Sequence, residues 1–284
     1  MPLITTTSGT DLFYESIGDA TRPPLLLIQG LGAQMIGWTP EFCRQLAEAG
    51  FHVVRFDNRD AGESQKFEGV DYTLTDMADD TAGLLDALGI PAAHIVGQSM
   101  GGMIAQELAA GHPEKILTLD LLYTSASPSF ILSRAIERSE AVVIPTDRAA
   151  FIEAYLSNEY LCRSRDYPQD IAWLRELGGH AFDRDPRQSG LQRQTDAVLH
   201  SRERGDLVRT ITAPTAILVG DSDQLIDPAA SQDLHDRIAG SSLRVFPGMG
   251  HEVPAALFRE IVADIVANAG RIGAPESIPK EAVR

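Results

Sequence analysis

Short, wholly apolar segments alternate along this sequence with segments whose apolar residues recur at helical spacing. Continuous apolar runs of this length are typical of strands that are buried on both faces of a parallel sheet. Strand and helix patterns in alternation predict a mostly parallel, doubly wound α/β sheet with helices on both faces. The predicted strands cover residues 25–30, 52–56, 93–97, 116–122, 214–220 and 242–246, after two N-terminal strands joined at Ser8 and Gly9.

The strand–helix alternation stops between residues 125 and 206, where only helical patterns such as DRAAFIEAYLSNEYL occur. Ligands of parallel α/β sheets bind at the edge where the strands end. The simplest interpretation of an all-helical insertion in such a fold is a cap over that edge. We therefore expect a core domain formed by residues 1–124 and 207–270 and a helical cap formed by residues 125–206. The polar, proline-bearing residues 271–284 are expected to form a flexible C-terminal tail.

The charge of the chain argues against some classes of partner. It has 40 acidic and 24 basic side chains and a formal net charge of −16. Because nucleic acids and anionic membranes bind clustered lysine and arginine side chains, we expect neither as a partner.

No apolar run reaches the roughly 18–20 residues that span a bilayer, and the N-terminus has no secretory-signal pattern. With two cysteines, Cys43 and Cys162, the chain is predicted to be cytoplasmic, and it could form a homodimer.

The segment GQSMG, residues 97–101, places a serine between two glycines where a strand passes into a helix. This is the pattern of a nucleophile elbow, in which a tight turn exposes the serine hydroxyl. Gly97 and Gly101 are expected to relieve the crowding that such a turn causes between neighbouring Cβ atoms. Ser99 is therefore the candidate nucleophile.

A serine hydroxyl needs an adjacent base, and the base needs an acid that orients it. Among the seven histidines, His251 stands out because it lies in a glycine-rich loop, FPGMGHEVP, after the last predicted strand. The expected acid is Asp223, which lies three residues past Gly220 in VGDSDQLIDP. Asp120, in the predicted strand ILTLDLL, is the second candidate for this role.

Backbone N–H groups are the expected donors to the oxyanion that forms during acyl transfer. The N–H of Met100 follows the serine directly, and that of Leu31 lies where Gly30 would let the backbone approach a ligand. Aromatic side chains are candidates for the pocket lining, although a single aromatic residue is more often part of a core. The candidates are Trp38 and Trp173, with Phe130, Phe151 and Phe182.

Five segments together, LLLIQGLG, RFDNRDAGES, GQSMGG, GDSDQLID and PGMGHEVP, resemble the α/β-hydrolase superfamily across residues 3–269. Serine, aspartate and histidine also occur in the chain order of that superfamily. QGLGAQMIGW and GLQRQTDAVLHSRERGDLVRTITAPT are similar to a bacterial esterase group that includes the anthracycline methylesterases.

The resemblance implies an α/β-hydrolase fold with an eight-stranded sheet, an inserted helical cap and no cofactor. It also implies the triad Ser99, Asp223 and His251, with Leu31 and Met100 as oxyanion donors. One departure concerns Gln29, because many relatives have a histidine before the glycine at this position. The oxyanion donor is a backbone N–H, so we expect catalysis to tolerate this change.

The predicted function is the hydrolysis of small to medium acyl esters by a serine carboxylesterase that forms an acyl-enzyme and uses no metal. The same frame would also serve a cofactor-free perhydrolase of the haloperoxidase type, a lactonase, a thioesterase or an amino-terminal peptidase. A protein that only binds a small molecule is the alternative from a different class. Burst release of an alcohol from a chromogenic ester would separate it from an enzyme.

Overall fold

The computed structural model describes residues 2–132 and 144–272. Eight strands form one sheet in the order β1-β2-β4-β3-β5-β6-β7-β8. Strands β3 to β8 are parallel to one another, whereas β2 pairs antiparallel with both β1 and β4. The predicted eight-stranded, mostly parallel sheet is therefore confirmed. The strands are β1 (Leu3–Thr5), β2 (Asp11–Ile17), β3 (Pro24–Ile28), β4 (His52–Phe56), β5 (Ala93–Gln98), β6 (Ile116–Leu122), β7 (Thr215–Gly220) and β8 (Ser242–Phe246).

Helices cover both faces of the sheet, as predicted, because each face of the parallel strands is apolar. One buried cluster joins the sheet to α2, α3 and α7, and a second joins it to α1 and α8. The helices are α1 (Pro40–Glu48), α2 (Leu74–Ala87), α3 (Met100–Gly111), α4 (Arg148–Cys162), α5 (Ile171–Arg184), α6 (Leu191–Leu199), α7 (Ala229–Arg237) and α8 (Phe258–Ala269).

Side-chain caps explain where several of these helices begin. The Thr73 hydroxyl accepts a hydrogen bond from the Asp76 N–H, and the Asp76 carboxylate accepts one from the Thr73 N–H, which forms a capping box at α2. Helix α8 is preceded by a 3₁₀ turn. Residues Ala255–Leu257 form this turn, and the α-helix starts at Phe258.

Helices α4, α5 and α6 occupy the stretch between β6 and β7 in which the sequence predicts helices. We call these three helices the helical block. Two ion pairs with buried carboxylates join the block to the loop after β4: Arg184 with Asp57 at 2.6 Å and Arg193 with Asp60 at 2.8 Å. The predicted tail lies outside the described residues from position 273 onward. Within the described ranges, none of the helices combines the length and hydrophobicity needed to cross a bilayer.

Candidate active site

Ser99 lies at the sharp turn between β5 and α3 with φ of 54° and ψ of −122°. This backbone conformation is strained for a residue with a side chain, and it persists only where the surroundings hold it. Here the Ser99 N–H donates to the Leu122 carbonyl at 3.0 Å, and the Ser99 carbonyl accepts from the Thr124 hydroxyl at 2.7 Å. The turn at Ser99 is therefore fixed by the end of the neighbouring strand β6.

The glycines around the turn differ in how strictly their positions require glycine. A Cβ atom on Gly97 would lie 2.4 Å from the Gly101 carbonyl oxygen, and one on Gly101 would lie 2.2 Å from the Ile28 carbonyl oxygen. Both distances are shorter than any real carbon–oxygen contact. A Cβ atom on Gly30 would lie 3.3 Å from the Ser99 Cβ, which is tight but leaves room for adjustment.

Gly101→Ala is therefore expected to disrupt the fold, since the added methyl group meets backbone atoms of β3 that cannot move independently. Gly111→Ala is the matched control, because Gly111 ends the same helix and an added Cβ there meets nothing within 4 Å. The control is expected to keep or raise the Tm, since alanine favours a helix over glycine by about 1 kcal/mol. Thermal unfolding of both variants checks this, and equal Tm values would contradict the close-contact argument.

The structure brings His251 and Asp223 to Ser99. His251 Nε2 lies 2.8 Å from Ser99 Oγ, and His251 Nδ1 lies 2.7 Å from Asp223 Oδ2. The second oxygen of Asp223 accepts hydrogen bonds from the N–H groups of Leu225 at 2.8 Å and Ile226 at 3.1 Å. Because a carboxylate only accepts, the proton belongs on Nδ1 and Nε2 is free to accept the serine proton.

The loop that carries His251 is held by the end of helix α4. The His251 N–H donates to the Cys162 carbonyl at 2.9 Å, and the Gly250 N–H donates to Ser164 Oγ at 3.0 Å. The Glu252 carboxylate accepts from the Ser164 N–H at 2.7 Å. The helical block therefore helps to place the base, a role that the sequence did not reveal because backbone carbonyls leave no motif.

Tyr123 also contacts His251, and the sequence analysis did not identify it as a site residue. Its ring packs on the His251 imidazole with centroids 4.7 Å apart, and its hydroxyl donates to the Gln98 side chain. Burial raises the pKa of Tyr123 well above its ordinary value, so the hydroxyl stays protonated and can donate. Tyr123 directly follows β6, at the sheet edge where the other site residues lie, and this position could have indicated its place in the site.

Asp120, the second candidate for the acid, is not brought to His251. It lies inside β6, paired with Ala216 in the register of the sheet, and its Oδ1 accepts from Asn268 Nδ2 at 3.2 Å. Among the described residues its Oδ2 has no hydrogen-bond partner. Burial raises the pKa of Asp120 well above its ordinary value because the buried carboxylate would lose its hydration.

Asp120→Asn is expected to stabilise the protein increasingly as the pH rises. A carboxyl group whose pKa is higher in the folded chain stabilises the fold fully below its unfolded pKa, which is about 3.9. That contribution is lost as the pH rises through the folded pKa. The variant should therefore match the wild-type Tm near pH 4 and exceed it by about 3–6 °C near pH 8. Asp206→Asn, at a fully exposed side chain, is the control. A constant Tm difference across this range would contradict the prediction.

Both N–H groups predicted as oxyanion donors remain available at the site. Gly30 N–H donates to Gln29 Oε1 at 2.9 Å, Gly32 N–H to Gln194 Oε1 at 2.8 Å and Ala33 N–H to the Gly30 carbonyl at 3.3 Å. The Leu31 N–H between them has no acceptor within the described part of the chain. Met100 opens helix α3, so its N–H has no intrahelical acceptor.

A cavity of about 450 Å³ opens at Ser99 and His251 and is lined by both the core and the helical block. Leu31 and Met100 line it, as do Trp38 and Trp173. Phe151 also lines the cavity, whereas Phe182 packs on Phe151 and Phe130 packs against the core. Across residues 2–132 and 144–272 there is no group of three histidine, cysteine or acidic side chains arranged to hold a metal.

Residues 23–254 match the family model of the alpha/beta hydrolase fold. Rhodomycin D methylesterase DauP of Streptomyces sp. (strain C5) is 30% identical over 290 residues, covering 90% of this chain and 94% of DauP. RutD of Variovorax paradoxus (strain S110), a protein named as a carbamate hydrolase, is 29% identical over 270 residues, covering 93% of this chain and 99% of RutD. A hydrolase from Pseudomonas aeruginosa PA01 of known crystal structure superposes with a TM-score of 0.77 at 26% identity, covering 95% of this chain and 98% of that one.

These matches confirm the predicted fold class and the predicted resemblance to the methylesterases. The matched segment contains strands β3 to β8, the turn at Ser99 and the loops of Asp223 and His251. The chain belongs to the α/β-hydrolase family.

Proposed function

We propose that the protein is a serine carboxylic-ester hydrolase that acts on small to medium acyl esters through an acyl-enzyme intermediate. The observation that supports this most directly is the unbroken hydrogen-bonded series from Asp223 through His251 to Ser99, which opens onto the cavity. The similarity to rhodomycin D methylesterases supports an ester as the bond that is cleaved.

In the proposed acylation step, Ser99 Oγ attacks the ester carbonyl carbon while His251 Nε2 accepts the hydroxyl proton. The carbonyl oxygen becomes an oxyanion, which the N–H groups of Leu31 and Met100 would stabilise. When the tetrahedral intermediate collapses, His251 returns the proton to the leaving alcohol. The acyl group stays on Ser99, and Asp223 stabilises the imidazolium that forms in between.

In the proposed deacylation step, a water molecule attacks the acyl carbon while His251 Nε2 accepts a proton from it. The same two N–H groups would hold the second oxyanion. Collapse of this intermediate returns the proton to Ser99 Oγ and releases the carboxylic acid.

The cavity indicates the size of the substrate. Its volume of about 450 Å³ is within the range of sites for small organic molecules. Because α4, α5 and α6 supply part of its lining, the proposal includes the predicted helical cap at residues 125–206 over a core of residues 1–124 and 207–270. The proposal also keeps the predicted cytoplasmic location, with a small-molecule ester and no nucleic acid as the partner.

A hydrolysis panel tests the proposed function. It contains acyl esters from acetate to palmitate and a methyl ester of a bulky acid, together with a lactone, a thioester, an amide and a carbamate. We expect para-nitrophenyl esters of short acids to show a burst of one alcohol per protein followed by steady turnover. Absence of both burst and turnover with every ester would make the proposal wrong, and absence of both with every compound in the panel would indicate a binding protein.

Carbamate hydrolysis is the second candidate, and the similarity to RutD favours it. The same serine could attack a carbamate carbonyl, so the triad does not separate the two functions. A kcat/KM for the carbamate above that for every ester in the panel would favour this candidate.

A further inference from the structure

The loop that carries the proposed oxyanion donor Leu31 is held from two sides. We call residues 29–34 the oxyanion loop. From the core side, Gln29 Oε1 accepts from the Gly30 N–H at 2.9 Å, and Asn58 Nδ2 donates to the Gln29 carbonyl at 3.0 Å. These contacts fix the beginning of the loop but do not reach beyond Leu31.

From the other side, Gln194 of helix α6 reaches into the oxyanion loop. Its Oε1 accepts from the Gly32 N–H at 2.8 Å, and its Nε2 donates to the Arg59 carbonyl at 2.8 Å. Gln194 is 1% exposed. Because both ends of the amide have a partner, the side chain has one orientation that satisfies it.

Helix α6 is itself fixed against the core next to this contact. Arg193 donates two hydrogen bonds to the buried Asp60 carboxylate, both at 2.8 Å. A Cβ atom on Gly190, the residue before the helix, would lie 2.0 Å from the Asp60 Cβ, so the Gly190 backbone packs closely against Asp60 and leaves no room for a side chain. The position of Gln194 is thus set by a close-packed junction.

The contact at Gly32 bears directly on Leu31. Gly32 has φ of 68°, and glycine leaves the backbone free to rotate unless a partner holds it. If the Gly32 N–H lost its acceptor, the peptides on either side of it could reorient, including the one that Leu31 shares with Gly32. The direction of the Leu31 N–H depends on the same short stretch of backbone.

We propose that Gln194 is a positioning residue that holds the oxyanion loop so that the Leu31 N–H points to the oxyanion. This inference rests on the proposed function, in which Leu31 donates to the oxyanion. It gives the helical block a part in the chemistry as well as in enclosing the cavity.

Two variants and a matched control test the inference with para-nitrophenyl butyrate as substrate. Gln194→Met keeps the length of the side chain and removes both hydrogen bonds. Gln194→Glu keeps an acceptor for the Gly32 N–H and loses the donor to the Arg59 carbonyl. Gln192→Met makes the same change at an exposed position of the same helix.

We expect Gln194→Met to lower kcat by about 10–100-fold, because losing an oxyanion donor outright costs about 10²–10³-fold and this donor would be misdirected instead. KM should stay within threefold of wild type, since the substrate carbonyl binds before the oxyanion forms. Gln194→Glu should retain several times the kcat of Gln194→Met, and Gln192→Met should stay within twofold of wild type.

Binding of two ketones separates positioning from a general loss of structure. Pentyl trifluoromethyl ketone adds to the serine and places an oxyanion at the site, whereas pentyl methyl ketone binds without forming that adduct. In Gln194→Met, the inhibition constant of the trifluoromethyl ketone should rise by the same factor by which kcat falls. The inhibition constant of the methyl ketone should match that of wild type. A structural defect would weaken both equally, and this measurement stays informative if the variant has a lower Tm.

The inference is overturned if folded Gln194→Met keeps kcat within twofold of wild type, if both ketones weaken equally, or if Gln194→Glu is as slow as Gln194→Met. These results leave the proposed function intact as long as the wild type hydrolyses the ester through Ser99. Absence of turnover in the wild type, or turnover that survives in Ser99→Ala, would instead refute the proposed function and this inference with it.

Discussion

Ser99→Ala is expected to lower kcat for ester hydrolysis by about 10⁴–10⁶-fold, because the acyl-enzyme can no longer form. The fold should remain, since the contacts that fix the turn come from the backbone of Ser99 and from its glycine neighbours. The measurement is turnover of para-nitrophenyl butyrate, with the Tm recorded for the same preparation.

Ser157→Ala is the control, because Ser157 is exposed on α4 and its hydroxyl donates to the Glu153 carbonyl at 2.9 Å within the same helix. It should match wild type in both measurements. A fluorophosphonate should add to the wild type and to Ser157→Ala but not to Ser99→Ala, as read from intact mass. Near wild-type turnover in folded Ser99→Ala would mean that another nucleophile does the chemistry.

Asp223→Asn is expected to lower kcat by about 10⁴-fold while leaving the fold intact. The asparagine oxygen can still accept from the Leu225 and Ile226 N–H groups, which turns the amide NH₂ toward His251 Nδ1. Since that NH₂ group donates, the imidazole proton moves to Nε2. A protonated Nε2 cannot accept the proton of Ser99.

Asp120→Asn is the natural comparison, because it makes the same chemical change at the other candidate acid. It should keep wild-type kcat and gain stability at neutral and alkaline pH, whereas Asp223→Asn should lose activity at every pH. The reverse pattern, with activity lost in Asp120→Asn and kept in Asp223→Asn, would reassign the acid. The readouts are kcat and Tm for both variants on one buffer series.

The sequence predicted the sheet well, because strands buried on both faces leave continuous apolar runs that stand out from helices. It also predicted which side chains meet, since residues that follow parallel strands gather at one edge of the sheet. Ser99, Asp223 and His251 each come after such a strand, and the structure brings the three together. Asp120 lies within β6 and is therefore held away from that edge.

The contacts that support the site could not be predicted in the same way. Gln194 lies 162 positions from Gly32 along the chain, and Cys162 contributes only a backbone carbonyl to His251. Neither leaves a local pattern, because the packing of α4 and α6 on the core decides which atoms meet. Packing also determines that Trp38 and Trp173 line the cavity while Phe130 packs against the core.

The double attachment of the helical block, to His251 through Cys162 and to Gly32 through Gln194, has a consequence for engineering. A chimera that receives the segment between β6 and β7 from a relative would exchange the walls of the cavity and, at the same time, two supports of its reactive groups. Loss of turnover in such a hybrid would then say little about how well the new substrate fits. Single replacements at wall positions such as Trp173 leave both supports in place and give a cleaner route to altered acyl preference.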